Sequence, residues 1–186
     1  MKNKIFLEYV WLDGYETSNL RSKIKVLDYS VEMSGPIKID NIPEWNFDGS
    51  STMQAPGNKS ECLLKPVRVY TSRSDHRSAI VLCEVMNADG APHETNFRSK
   101  LKKQSINNDI AGINNMGFWW GFEQEYFMMK NGSPVGFPFS GYPRAQGEFY
   151  CGVGDSNVKH RELAEFHMYE CLDLGIEITG INAEVA

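Results

Sequence analysis

The rhythm of hydrophobic and polar positions changes twice along the chain. Over residues 5–90 the apolar positions come in short runs, broken by Asp13-Gly14, Ser34-Gly35-Pro36, Asp48-Gly49 and Asp89-Gly90. Short β-rich runs bounded by turn residues predict strands, and residues 80–85 form the clearest buried one. From Thr95 the character shifts. Thr95 or Asn96 can cap a helix through Lys100-Leu101-Lys102-Lys103, which is followed by an Asn-rich stretch over residues 107–115. A domain boundary is expected within residues 89–95, dividing the chain into residues 1–90 and 91–186.

Beyond that boundary, residues 118–129 are aromatic and apolar enough for a buried strand, and residues 131–147 form a Gly/Pro/aromatic loop without helical period. Asp155 or Ser156 then caps a helix over residues 157–174, with Ala164, Met168, Cys171 and Leu172 on one face and Gly175 as its stop. Residues 176–185 alternate like a strand. There is no internal repeat.

Composition narrows the class. The chain has 186 residues, 41% hydrophobic and 12% aromatic, which suits a globular protein. At this length folding buries roughly 70% of the surface that the unfolded chain exposes, enough for one large core or two modest ones. Nineteen basic against 24 acidic side chains give a formal net charge of −5, without the basic excess that nucleic-acid binding exploits. Glu8 and Asp13 interrupt the first apolar stretch before it could act as a signal sequence, and no segment approaches the roughly 20 apolar residues of a membrane span. The expectation is a cytoplasmic protein with no nucleic-acid or membrane partner. Cys62, Cys83, Cys151 and Cys171 lie far apart, with no C-x-x-C pair, and read as buried reduced thiols.

Three segments could carry chemistry. In Trp119-Trp120-Gly121-Phe122-Glu123-Gln124-Glu125-Tyr126 a strand would place Trp119, Glu123 and Glu125 on one face. Two carboxylates about 6 Å apart at an effective dielectric of about 20 repel by roughly 3 kcal/mol, so something positive should offset them. Hard oxygen donors without Cys or His suit Mg²⁺ or Mn²⁺. A solvated Glu-x-Glu strand face explains the same spacing. Glu184, in Asn182-Ala183-Glu184-Val185, is a lone carboxylate of the kind that is more often a satisfied structural or strand-end residue than a ligand. Trp45-Asn46-Phe47-Asp48-Gly49-Ser50-Ser51-Thr52 is by local physics a turn, because Asp-Gly suits tight connections and hydroxyls bond nearby backbone. Gly152-Val153-Gly154 lacks the spacing of a phosphate-binding loop, and His76, His93, His160 and His167 form no metal-ligand spacing.

In order, W-N-F-D-G-S-S-T, L-C-E-V, G-F-E-Q-E-Y-F, Q-G-E-F-Y-C-G-V-G and G-I-N-A-E-V resemble the eukaryotic-type class of glutamine synthetases, from about Leu7 to the last residue. The resemblance implies an α+β fold: a β-grasp N-terminal domain followed by the first part of an α/β catalytic domain. It also implies the reaction, in which ATP phosphorylates the side-chain carboxylate of glutamate and ammonia displaces phosphate to give glutamine. Carried over by position, Glu123 resembles the ligand of the ion beside the nucleotide phosphates, and Glu125 and Glu184 resemble ligands of the ion beside glutamate. Trp119 matches a residue packed near the adenine. Asp48 resembles the residue that attracts ammonium and helps remove its proton, with Ser51 and Tyr150 near the same pocket. The implied cofactors are Mg²⁺ or Mn²⁺ with ATP as substrate, and the implied assembly is two stacked five-membered rings. The chain departs from the family at Ser72-Arg73-Ser74, at Arg144-Ala145 and at Glu148. Family members also continue with a segment bearing a further metal-binding Glu, a His and phosphate-binding Arg residues. The resemblance therefore implies an N-terminal portion of such an enzyme, active as part of a longer chain. The alternative is a non-catalytic assembly module that retains the β-grasp interface.

Overall fold

The computed structural model describes residues 4–28, 37–72, 75–110, 112–138 and 140–184. They divide into two compact units, one ending at Phe118 and the other starting at Trp119.

The first unit is a five-stranded sheet in the order β2-β1-β5-β4-β3. Its strands are β1 (Lys4–Leu12), β2 (Leu20–Asp28), β3 (Trp45–Asp48), β4 (Glu61–Thr71) and β5 (Ser78–Asn87). β1 runs parallel to β5, and the other neighbouring pairs are antiparallel. Alternation decides which side chains enter the core. Ile5, Leu7, Tyr9 and Trp11 of β1 share a buried face with Ala79, Val81, Cys83 and Val85 of β5 and with Cys62 and Leu64 of β4. Ile37 and Ile42 join this core, and the Tyr9 hydroxyl donates to the Pro43 carbonyl at 2.6 Å. Trp45 packs edge-on against Tyr9 and lies beneath the Lys23 and Lys25 ammonium groups at 3.5 and 4.5 Å from its ring centre. Burial pushes the Cys83 thiol up to about 12, so it behaves as an inert apolar group. The opposite sheet face keeps Phe6, Val10, Ile80 and Leu82 half-buried, and Leu12, Leu20, Ile24 and Val26 exposed.

The strand over residues 80–85 lies within β5, as expected. The turns at Asp13-Gly14, Asp48-Gly49 and Asp89-Gly90 each follow a strand end, whereas Ser34-Gly35-Pro36 lies outside the described residues. Pro66 interrupts β4 at a register shift between Pro66 and Arg68. That bulge lies beyond Glu61–Leu64, the part of β4 paired with β3, where a missing N–H removes no ladder bond on that side. Helix α1 (Phe97–Ile110) starts after Asn96, whose Oδ1 accepts the Ser99 N–H at 2.9 Å, so Asn96 is the expected cap. The helix extends into the Asn-rich stretch, for which the sequence predicts no element. Its Phe97, Leu101, Ile106 and Ile110 are all exposed.

The second unit holds helix α2 (Arg161–Asp173) and a small hairpin of β6 (Met129–Lys130) and β7 (Ser133–Pro134). Asn131 and Gly132 join the hairpin, both at positive φ, as a two-residue turn matching strand twist requires. Two strand expectations are corrected here. Residues 117–128 have no regular secondary structure, and neither do residues 176–184, Val185 lying outside the described residues. A strand is a shared hydrogen-bond ladder, and among the described residues neither segment joins a sheet, their carbonyls accepting only single bonds such as Val135 N–H to Met128 and Cys151 N–H to Ala183. A common strand face for Trp119, Glu123 and Glu125 is therefore absent. Helix α2 also begins later than residue 157. His160 precedes it at φ 53 without a side-chain cap, while Asp155 instead accepts from Lys159 at 2.6 Å. Ala164, Met168 and Cys171 on its expected face are half-buried. The expectation of four buried thiols holds for Cys62 and Cys83 but not for Cys151, which is exposed, or Cys171, which is intermediate.

Candidate functional site

In the first unit the chemistry gathers on the loop after β3. Asp48 ends that strand and caps the 3-10 turn Gly49–Thr52. One carboxylate oxygen accepts the Ser50 N–H at 3.0 Å and the Ser50 hydroxyl at 2.6 Å, and the other lies 3.5 Å from the Ser51 hydroxyl. These bonds explain its electrostatics. The Ser50 hydroxyl first, then the Ser50 N–H, hold the Asp48 carboxyl below the usual carboxylate range, with smaller help from Ser60 and Ser51. The result is an exposed, reliably ionised group whose direction is set by its own turn.

The loop is packed hard against its surroundings. Gly49 donates to Ser60 at 2.7 Å, and a Cβ there would stand 2.6 Å from the Cys62 sulfur. Gly14, at the tip after β1, donates to the Thr52 carbonyl at 2.8 Å, and a Cβ on it would stand 2.3 Å from the Met53 carbonyl oxygen. Both positions need glycine, Gly14 because the Met53 backbone approaches it and Gly49 because the Cys62 sulfur and the Ala55 Cβ leave a side chain no room. Met53 closes the turn at φ 58, an unusual conformation for a residue with a side chain.

The second unit carries the other candidates. Trp119 is 97% exposed, and Glu123 and Glu125 are exposed nearby in sequence. Tyr150 follows the 3-10 turn Gln146–Glu148, and the Cys151 N–H donates to the Ala183 carbonyl at 2.9 Å. That bond lays the Glu184 segment beside Tyr150. The Tyr150 hydroxyl is pushed above its ordinary pKa by Cys151 first, through charge and hydrogen bonding, then by Glu184, burial and Glu123. Glu184 and Glu123 thus each lie within electrostatic reach of Tyr150, which remains an O–H donor at neutral pH. Glu184 accepts from the Asn182 side chain at 2.7 Å.

Among the described residues no three His, Cys, Asp or Glu groups stand together as a metal cage. The carboxylates present supply at most part of the six or more oxygens that a hard divalent ion takes. Also among the described residues, no helix is long and apolar enough to cross a membrane.

Nothing in the sequence signals that three residues are linked beside the Asp48 loop. Gln54, His93 and Thr95 bond to one another across a gap of about forty residues, and no spacing rule reaches that far.

No family model matches the chain. Individual proteins do. It is 46% identical to the glutamine synthetase of Bradyrhizobium diazoefficiens, over 98% of this chain and 50% of that protein. The glutamine synthetase of Saccharomyces cerevisiae is 44% identical over 99% of this chain and 47% of the relative. A chloroplastic glutamine synthetase of Chlamydomonas reinhardtii is 43% identical over 96% of this chain and 48% of its own length. The chain spans about half the length of the curated relatives it matches.

Proposed function

We propose, starting from a chain that is homologous to glutamine synthetases over about half their length, that it contributes to the ATP-dependent joining of ammonia to glutamate in the enzyme that carries it. The observation that supports this most directly is the Asp48 loop. Its carboxylate is exposed, ionised and aimed by Ser50 and Ser51, which suits it to hold a small cation such as ammonium. Because its pKa is lowered, electrostatic attraction is its stronger contribution and proton acceptance the weaker.

The first unit is proposed as a β-grasp domain and the second as the start of an α/β catalytic domain. In this reading the γ-carboxylate oxygen of glutamate attacks the terminal phosphorus of ATP, and the bond to ADP breaks. Ammonium gives up a proton, which the Asp48 carboxylate can take, and the resulting ammonia attacks the acyl carbon; phosphate leaves with the electron pair and the surplus proton on nitrogen passes to solvent. Asp48 attracts the ammonium beside Ser51. Tyr150, protonated at neutral pH, offers a hydrogen-bond donor to a substrate group. Trp119 offers an exposed ring for the adenine. Glu123, on the nucleotide side, and Glu125 with Glu184, on the glutamate side, supply carboxylate oxygens to Mg²⁺ or Mn²⁺. Such ions, when bound, neutralise phosphate charge during transfer. The proposed partners are glutamate, ammonium, ATP and further subunits in stacked five-membered rings, and the proposed compartment is the cytoplasm.

The test is glutamine formation from glutamate, ammonium and Mg-ATP by the active enzyme that carries this chain. Glu125→Ala should abolish synthesis and weaken divalent-ion binding, and Asp48→Ala should chiefly raise the KM for ammonium. Unchanged turnover in Glu125→Ala would sink the metal assignment. One observation favours a second reading, an assembly module: the outer sheet face keeps Leu20, Ile24 and Val26 exposed. That reading predicts co-assembly with full-length subunits whether or not the chain supports turnover.

A further inference from the structure

The Asp48 loop does not hold its shape through its own bonds alone. Its far end, Gln54, is 5% exposed and its neighbour His93 is 7% exposed. The Gln54 side-chain amide donates to the Leu12 carbonyl at 3.1 Å and to the Thr95 hydroxyl oxygen at 3.0 Å. Its Oε1 lies 2.8 Å from the Thr52 hydroxyl, inside the 3-10 turn that Asp48 caps. Its backbone carbonyl lies 2.6 Å from His93 Nε2, and the Cys62 thiol donates to the same oxygen at 3.8 Å.

The histidine can serve this network in only one form. The Thr95 backbone N–H, which can only donate, points at His93 Nδ1 from 3.1 Å. The Thr95 hydroxyl lies 2.9 Å from the same nitrogen, and its own oxygen already accepts from Gln54. Nδ1 is therefore the acceptor and Nε2 carries the proton, aimed at a Gln54 carbonyl that can only accept. The chain end of β1, the loop after β3 and the segment leading into α1 all meet at these two side chains. Gln54 in turn fixes the loop, since the Gln54 and Ala55 N–H groups donate to the Gly49 carbonyl at 2.8 and 3.2 Å, directly behind Asp48.

We propose that His93 and Gln54 are positioning residues that hold the Asp48 loop in the geometry it needs for the nitrogen substrate. The inference rests on the reading of Asp48 as the ammonium-side carboxylate, and its test separates the two. Backbone amide exchange in this chain measures the clamp without reference to activity. His93→Ala should speed exchange at Gly49, Gln54 and Ala55 by about fivefold or more, the factor expected for loss of one buried hydrogen bond, while β1 and β5 amides keep their rates. His93→Gln, whose side-chain N–H can reach the same carbonyl, should restore the slow exchange. Thr95→Val, a milder change that removes only the hydroxyl, should give an intermediate rate.

In the active enzyme that carries this chain, His93→Ala should raise the KM for ammonium by about fivefold, with the KM for glutamate and ATP within about twofold of the parent and with rescue by His93→Gln. Loop exchange at the parental rate in both His93→Ala and Thr95→Val would overturn the clamp. Faster loop exchange with an unchanged KM for ammonium would overturn the positioning role. If Asp48→Ala itself left ammonium use untouched, the reading of Asp48 would fail, and the exchange result would still decide whether His93 orders the loop.

Discussion

Asp13 is the buried carboxylate on which the first hairpin turns. Its side chain is 0% exposed, yet it accepts the N–H groups of Tyr15 and Asn19 at 3.3 and 2.9 Å and pairs with the Arg21 guanidinium at 2.8 Å. Burial alone would raise its pKa, but the Asn19 and Tyr15 amides and then the Arg21 and Asn19 side chains reverse that and lower it. A carboxyl whose folded pKa is depressed stabilises the fold above its unfolded value and loses that contribution as pH falls through the folded one. Asp13→Asn should therefore lower the Tm at pH 7 and shrink the fall in Tm between neutral and acid pH. Parallel Tm profiles for the two proteins would contradict the assignment. Gly14, next in the chain, has no room for a methyl group, so Gly14→Ala should lower the Tm and speed amide exchange in the Asp48 loop, read by hydrogen exchange. Asp13-Gly14 was legible as a turn. That the turn braces Thr52 was not, because the two lie about forty residues apart.

At the scale of elements, two apolar runs met different fates. Residues 80–85 read as a buried strand and became one, flanked by β1 and β4. Residues 118–129 also read as a buried strand and have no ladder partner among the described residues except at Met129, in the small hairpin. Composition reports what a segment would bury, and a strand exists only where another backbone supplies its hydrogen bonds. The helices were more legible, since their bonds are internal. Asn96 capped α1 as expected, although α2 began at Arg161 rather than near residue 157. Packing separates the elements energetically. Leu64 of β4 is 0% exposed, and Leu64→Ala should cost about 2–5 kcal/mol in urea unfolding. Leu101 of α1 is 70% exposed, and Leu101→Ala should change stability by less than about 0.5 kcal/mol. Equal effects would mean that α1 is covered in solution.

For the molecule as a whole, stability is expected to be uneven. The buried cluster of the first unit draws on β1, β3, β4 and β5, so amides of β1 and β5 should exchange slowest and those of residues 117–128 fast. Uniform protection across both units, measured by exchange and mass spectrometry, would contradict this picture. The order of motifs along the chain points to the glutamine synthetases, and relatives at 43–46% identity agree. The short strands of the first unit, the turn residues and the cap of α1 were also readable from the chain, because each depends on neighbours within a few positions. Sheet order, the parallel pairing of β1 with β5, the Gln54–His93 clamp and the approach of Glu184 to Tyr150 emerged only with the fold. Each of these joins residues tens of positions apart, and their meeting depends on how the whole backbone satisfies its hydrogen bonds and buries one face of its sheet.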